Sequence, residues 1–74
     1  MQSDILAAVG SITVAMRAER VLLDAGISAA IVSLDPEQTR RGCAFAVSFP
    51  ADKEAAARRE LRAARIFVSQ FIKG

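Results

Sequence analysis

The sequence predicts an α+β domain of the ferredoxin-like order β-α-β-β-α-β, a four-stranded antiparallel sheet with two helices on one face. Three observations predict it. Apolar residues change spacing along the chain from runs or alternation, as in strands, to the three-and-four spacing of helices, and back. Gly26, Pro36 and Pro50 fall at the changeovers. The chain has 74 residues, enough for one domain spanning 1–74 and no second.

Residues 5–10 form a short apolar run ending in Gly10 and read as a strand buried on both faces. A helix follows Ser11-Ile12-Thr13. Val14, Ala18, Val21, Leu22 and Ala25 would line its inner face, and Arg17, Glu19, Arg20 and Asp24 would fall largely on the other. Ser11 or Thr13 is suited to cap it, and Gly26 to end it in the left-handed conformation. Residues 27–34 read as a second strand, broken by Asp35-Pro36, because proline lacks the N–H a ladder needs. A polar loop runs from Asp35 to Gly42.

Residues 44–49 alternate, with Phe45, Val47 and Phe49 facing one way and Ala44, Ala46 and Ser48 the other. Pro50 stops this strand. Asp52 is placed to cap a second helix over residues 53–64, with Ala57, Leu61 and Ala64 as a thin apolar face and Glu54 spaced to pair with Arg58. The β-branched and aromatic stretch from Ile66 to Ile72 reads as the fourth strand. There are no internal repeats, low-complexity tracts or linkers.

A chain this short buries only about 60% of its unfolded surface, yet 53% of its residues are hydrophobic. Part of that surplus is alanine, which a surface tolerates. The remainder points to a homo-oligomer that hides the open face of the sheet. The single cysteine excludes an intramolecular disulfide and a disulfide-stapled secreted scaffold. No apolar stretch is long enough to span a membrane, and the N-terminus lacks the positive charge of a signal peptide. A soluble cytoplasmic protein is therefore expected.

Missing residues remove several chemistries. A cysteine protease or acyl transferase pairs its thiol with histidine, and the chain contains none. One cysteine cannot supply the ligands of a zinc site, or the paired cysteines of metal chaperones and dithiol redox proteins. No phosphate-cradling glycine motif is present. Phe45 and Phe49 are in phase with Val47, so they read as core rather than as base-stacking aromatics. No cofactor, metal, nucleic acid or membrane is expected as a ligand.

What remains is the thiol of Cys43. In the predicted topology the Gly10–Thr13 turn and the Asp35–Cys43 loop meet at one edge of the sheet. Cys43 would lie near the first turn of the first helix, next in sequence to Arg40, Arg41 and Gly42. Helix N-termini present free N–H donors and partial positive charge. Such ends, and nearby arginines, lower the pKa of a thiol and favour its nucleophilic form. The same surroundings suit an anionic persulfide, and Gly42 leaves room for a donor group to approach. A lone cysteine also reads as a small, inert buried residue. Its place at a loop exit after Arg-Arg-Gly counts for the reactive reading.

Gly10-Ser11-x-Thr13, the alanine-rich helix, Leu22 to Gly26-Ile27, and Pro36 followed by Arg41-Gly42-Cys43 resemble the small selenium/sulfur carrier protein-like domains. The resemblance covers residues from about 5 to 50, and the rest fits in length and order. It implies a carrier of reduced sulfur or selenium on Cys43, served by donor and acceptor proteins, with Gly10, Ser11 and Thr13 matching the family's first turn. This is transfer chemistry on a cysteine rather than turnover of a small molecule. Arg40 and Arg41 would stabilise the anionic terminal atom, and Ser11 and Thr13 would orient it. The alternative is a non-catalytic interaction or regulatory module that dimerises through its sheet face, with Cys43 structural.

The second helix is unusually rich in arginine. Arg58, Arg62 and Arg65 recur at helical spacing with Arg59 beside them. A solvated face explains them, and so does the docking of an acidic partner.

Overall fold

The computed structural model describes residues 4–35 and 44–73. Strands β1 (Asp4–Val9), β2 (Ala30–Ser33), β3 (Phe45–Pro50) and β4 (Gln70–Lys73) alternate with helices α1 (Ile12–Asp24) and α2 (Glu54–Ala63) in the order β1-α1-β2-β3-α2-β4. The sheet order is β2-β3-β1-β4 and every neighbouring pair is antiparallel. This is the ferredoxin-like arrangement expected from the sequence.

Side-chain alternation sorts the core. Ile5, Ala7 and Val9 of β1 and Val47 and Phe49 of β3 point to the helices, where they meet Ala15, Ala18 and Leu22 of α1 and Ala57 and Leu61 of α2. Phe49, Leu22, Leu61, Val9 and Val47 are the largest fully buried side chains, each contributing about 1.5–3 kcal/mol of transfer free energy. Phe71 of β4 meets Phe49 edge to face at 6.5 Å. On the opposite face, Ala8, Ala46 and Leu34 are buried under a thinner layer that includes Leu6 and Ile72.

Both helices close in the same way. At the end of α1, Ile27 N–H donates to the Leu22 carbonyl at 2.9 Å and Gly26 N–H to the Leu23 carbonyl at 3.0 Å. Gly26 holds φ at +79°. At the end of α2, Ile66 N–H donates to the Leu61 carbonyl at 3.0 Å and Arg65 N–H to the Arg62 carbonyl at 3.0 Å. These are two Schellman motifs, each with an isoleucine just beyond the left-handed residue folded back onto the helix. In α2 the left-handed residue is Arg65, at φ 59°.

The structure corrects four sequence expectations. Ile27 and Ile66 do not start strands. Each is buried as the apolar plug of its Schellman motif, so β2 begins at Ala30 and β4 at Gln70. Ala25, expected on the inner face of α1, caps its end and is exposed, while Ala15 takes an inner position. Asp52 caps nothing. It lies in a 3₁₀ turn, Ala51–Lys53, that precedes α2, whose first residue follows Lys53 with no side-chain cap. The proline-led turn leaves Asp52 without the extended geometry an N-cap requires. The expected pair is formed: Arg58 Nε donates to Glu54 Oε2 at 2.9 Å.

Candidate functional site

The strand registers define which pieces share one end of the sheet. Val9, the last residue of β1, pairs with Phe45, the first of β3, and Ser33, the last of β2, pairs with the same Phe45. The Leu34 N–H donates to the Ala44 carbonyl at 2.8 Å, which extends that ladder one step beyond the strands. At the same end Ser69 anchors the chain leaving α2, its N–H and hydroxyl both donating to the Ala8 carbonyl, at 2.9 and 3.2 Å. This upper end therefore carries the Gly10-Ser11 turn, the start of α1, the residues flanking the 36–43 segment and the exit from α2. The expectation that the first turn and the β2–β3 connection meet at one edge holds for their described flanks.

Ser11 is the N-cap of α1. Its extended backbone (φ −155°, ψ 162°) points the side chain back, and Oγ accepts the Val14 N–H at 3.2 Å. Of the two capping residues the sequence offered, Ser11 takes the role. Its own hydroxyl proton remains available to donate, since a hydroxyl holds one donor as well as its acceptor pairs. Thr13 is exposed. The N–H groups of Ile12 and Thr13, first in the helix, have no intrahelical acceptor. No acidic residue lies in the first turn of α1, so the helix itself supplies no carboxylate to the positive end of its dipole.

Gly10 is exposed, and a Cβ built on it meets nothing within 4 Å. Its φ is not in the left-handed range that Gly26 occupies. Among the described residues, neither backbone conformation nor contact demands a glycine at position 10.

Cys43, Arg40, Arg41 and Gly42 lie outside the described residues. Ala44, the residue to which Cys43 is bonded, is exposed. Among the three arginines expected to dock a partner, Arg58 and Arg62 line one surface pocket of about 210 Å³. Arg65 is turned out of the helix as its left-handed closing residue and does not line that pocket. A second surface pocket, of about 260 Å³, lies at the opposite end of the sheet between Asp4, Ser28–Ala30 and Ser48–Pro50.

The chain matches the model of the family described as "Putative Se/S carrier protein-like" over residues 4–73. It belongs to that family. The match extends well past the Gly-Ser-x-Thr and Gly-Cys segments, through the arginine-rich α2 and β4. No curated protein and no solved structure matches the chain. No helix among the described residues is long and apolar enough to cross a membrane.

Proposed function

We propose that the protein is a carrier of reduced sulfur or selenium that holds the cargo atom on Cys43 and passes it between partner proteins. The observation that carries this reading is membership of the Se/S carrier family across nearly the whole chain, in a protein whose single cysteine follows Arg40-Arg41-Gly42. Two features of the upper end support it. The acid-free first turn of α1 suits an anionic terminal atom, and no described residue lies within 4 Å of a Cβ built on Gly10, which leaves room for one.

The loading step balances without an added oxidant. The Cys43 thiolate attacks the terminal sulfur of a donor's persulfide. A sulfur–sulfur bond to Cys43 forms as the donor's own breaks, and the donor leaves as a thiolate. The proton of the sulfane sulfur travels with it or is lost to water. Delivery is the reverse transfer to an acceptor's nucleophile. Selenium follows the same course as a selenosulfide. Ser11 and Thr13 would donate hydrogen bonds to the anionic terminal atom, and Arg40 and Arg41 would add charge.

The test is intact mass under non-reducing conditions after incubation with a cysteine desulfurase and cysteine. The expected result is a gain of one sulfur atom that reductant removes and that Cys43→Ser abolishes while its fold is retained. Loading retained in Cys43→Ser defeats the proposal, and so does a wild-type thiol that neither loads nor alkylates in the folded state.

A second reading rests on the open sheet face, where Leu6, Val32 and Ile72 surround the buried Ala8 and Ala46 and stay partly exposed. A second copy covering that face would make a non-catalytic module with a structural Cys43. Light scattering of the protein and of Ile72→Lys separates them. A dimer lost on substitution, together with an unreactive thiol, favours this second reading.

A further inference from the structure

The pocket beside α2 is built from two unlike parts. Leu61, Ile66 and the Phe71 ring form an apolar floor, and Phe67 stands at the rim 72% exposed. Along the other rim lie Arg58 and Arg62, one helical turn apart. Arg58 is already engaged. Its guanidinium lies 4.0 Å from the centre of the Phe71 ring, and Glu54 holds it at 2.8–2.9 Å. That fixes its plane as a wall of the pocket and leaves its charge largely answered.

Arg62 is different. It is exposed, and no described residue forms an ion pair or hydrogen bond with its side chain. Arg65, three residues on, is likewise exposed and without an acidic partner among the described residues. An exposed phenylalanine over an apolar floor, beside unanswered guanidinium charge, is the composition of a binding hot spot rather than of a solvated helix face.

From this complementarity we infer that the pocket between the end of α2 and β4 is a docking site for an acidic protein segment with one apolar anchor residue. The anchor seats on Leu61, Ile66 and Phe71 under Phe67, and a flanking carboxylate meets Arg62, the planar fork suiting a bidentate contact. The site opens at the upper end, because Ile66–Val68 precede Ser69, which is tied to Ala8. A segment docked there stands at the same end as the Gly10-Ser11 turn. That its owner is the protein loading or unloading Cys43 rests on the carrier reading; the docking itself does not.

The probe is an acetylated, amidated hexapeptide, Glu-Asp-Leu-Phe-Glu-Asp, titrated into the ¹⁵N-labelled full chain with a reduced thiol. The expected result is saturable amide shifts centred on Arg62 to Val68 and Phe71, weakening as salt rises. Arg62→Ala and Phe67→Ala, both at exposed positions that leave the circular dichroism spectrum unchanged, should each lower affinity about tenfold, the loss that marks a hot-spot residue. Several outcomes overturn the inference: equal binding by the peptide with lysine at its acidic positions, equal binding with alanine at its Leu-Phe, undiminished affinity in Arg62→Ala, or a single-stranded oligonucleotide that binds the same residues more tightly. Because the titration needs no sulfur transfer, its failure and a failure of Cys43 to load are read separately.

Discussion

The two ends of the sheet treat the same structural element differently. At the lower end α1 finishes on Gly26, which adopts φ +79° without strain, and α2 begins with Glu54 in its first turn, which answers the helix dipole and also pairs with Arg58 and Lys73. At the upper end α1 begins with no acid in its first turn, and α2 finishes on Arg65, a side chain held at φ 59°. The lower end follows the rules that stabilise helix termini and the upper end departs from both. Departures of this kind gather where a surface is selected for something other than stability. The upper end is also the end bearing the flanks of the Cys43 segment and the arginine-rimmed pocket.

The comparison yields five measurements, in falling order of effect. Leu22→Ala and Leu61→Ala truncate the buried side chain of the residue whose backbone carbonyl accepts each Schellman bond. Both should cost about 3 kcal/mol in denaturant unfolding, and a large inequality would trace the contrast to unequal core packing instead. Gly26→Ala should cost about 1 kcal/mol, because a Cβ is forced into the left-handed region. Arg65→Gly should have the opposite sign, gaining about 0.5 kcal/mol once glycine's greater chain entropy is subtracted. A loss on Arg65→Gly would mean that the arginine is anchored by contacts and not merely tolerated.

Thr13→Glu places a carboxylate in the bare first turn of α1. It should stabilise the fold by about 0.3–1 kcal/mol at low ionic strength and yet slow sulfur loading several-fold. Unchanged loading would remove function as the reason for the missing acid. Gly10→Ala should leave the melting temperature nearly unmoved, since its Cβ meets no described residue within 4 Å. A lowered loading rate in that variant would sharpen the contrast, and an unchanged one would confine it to the helix termini.

Element order, sheet topology and inner faces were legible because each rests on side-chain period, which burial enforces directly. The starts of β2 and β4 were not, and for one shared reason. Ile27 and Ile66 are β-branched and follow a helix, so they look like the first residues of strands. Their burial serves the end of the preceding helix, a three-dimensional contact that carries no period. Phe67 was misjudged with them. Placed in a strand, it seemed one more sheet residue, and only the later start of β4 reveals it as the exposed rim of a pocket.

At the candidate site, residue types were legible and geometry only in part. Chemistry narrowed the cap to Ser11 or Thr13, whereas the choice between them, the lack of described neighbours at Gly10 and the lack of a described partner for Arg62 depend on what lies nearby in space. The α2 arginines looked like one ridge of equal charges. The fold gives them three situations: Arg58 stacked and paired, Arg62 without a partner among the described residues, and Arg65 bent into the helix stop.

One register has a practical sequel. Ile5 pairs with Lys73, and Asp4 with Pro50, so the polypeptide enters β1 and leaves β4 side by side at the lower end, roughly 20 Å from Gly10 along β1. A tether, fluorophore or fused neighbour joined through either β1 or β4 therefore emerges on the side away from the upper end. An attachment made through either strand at that end leaves the Gly10-Ser11 turn facing outward.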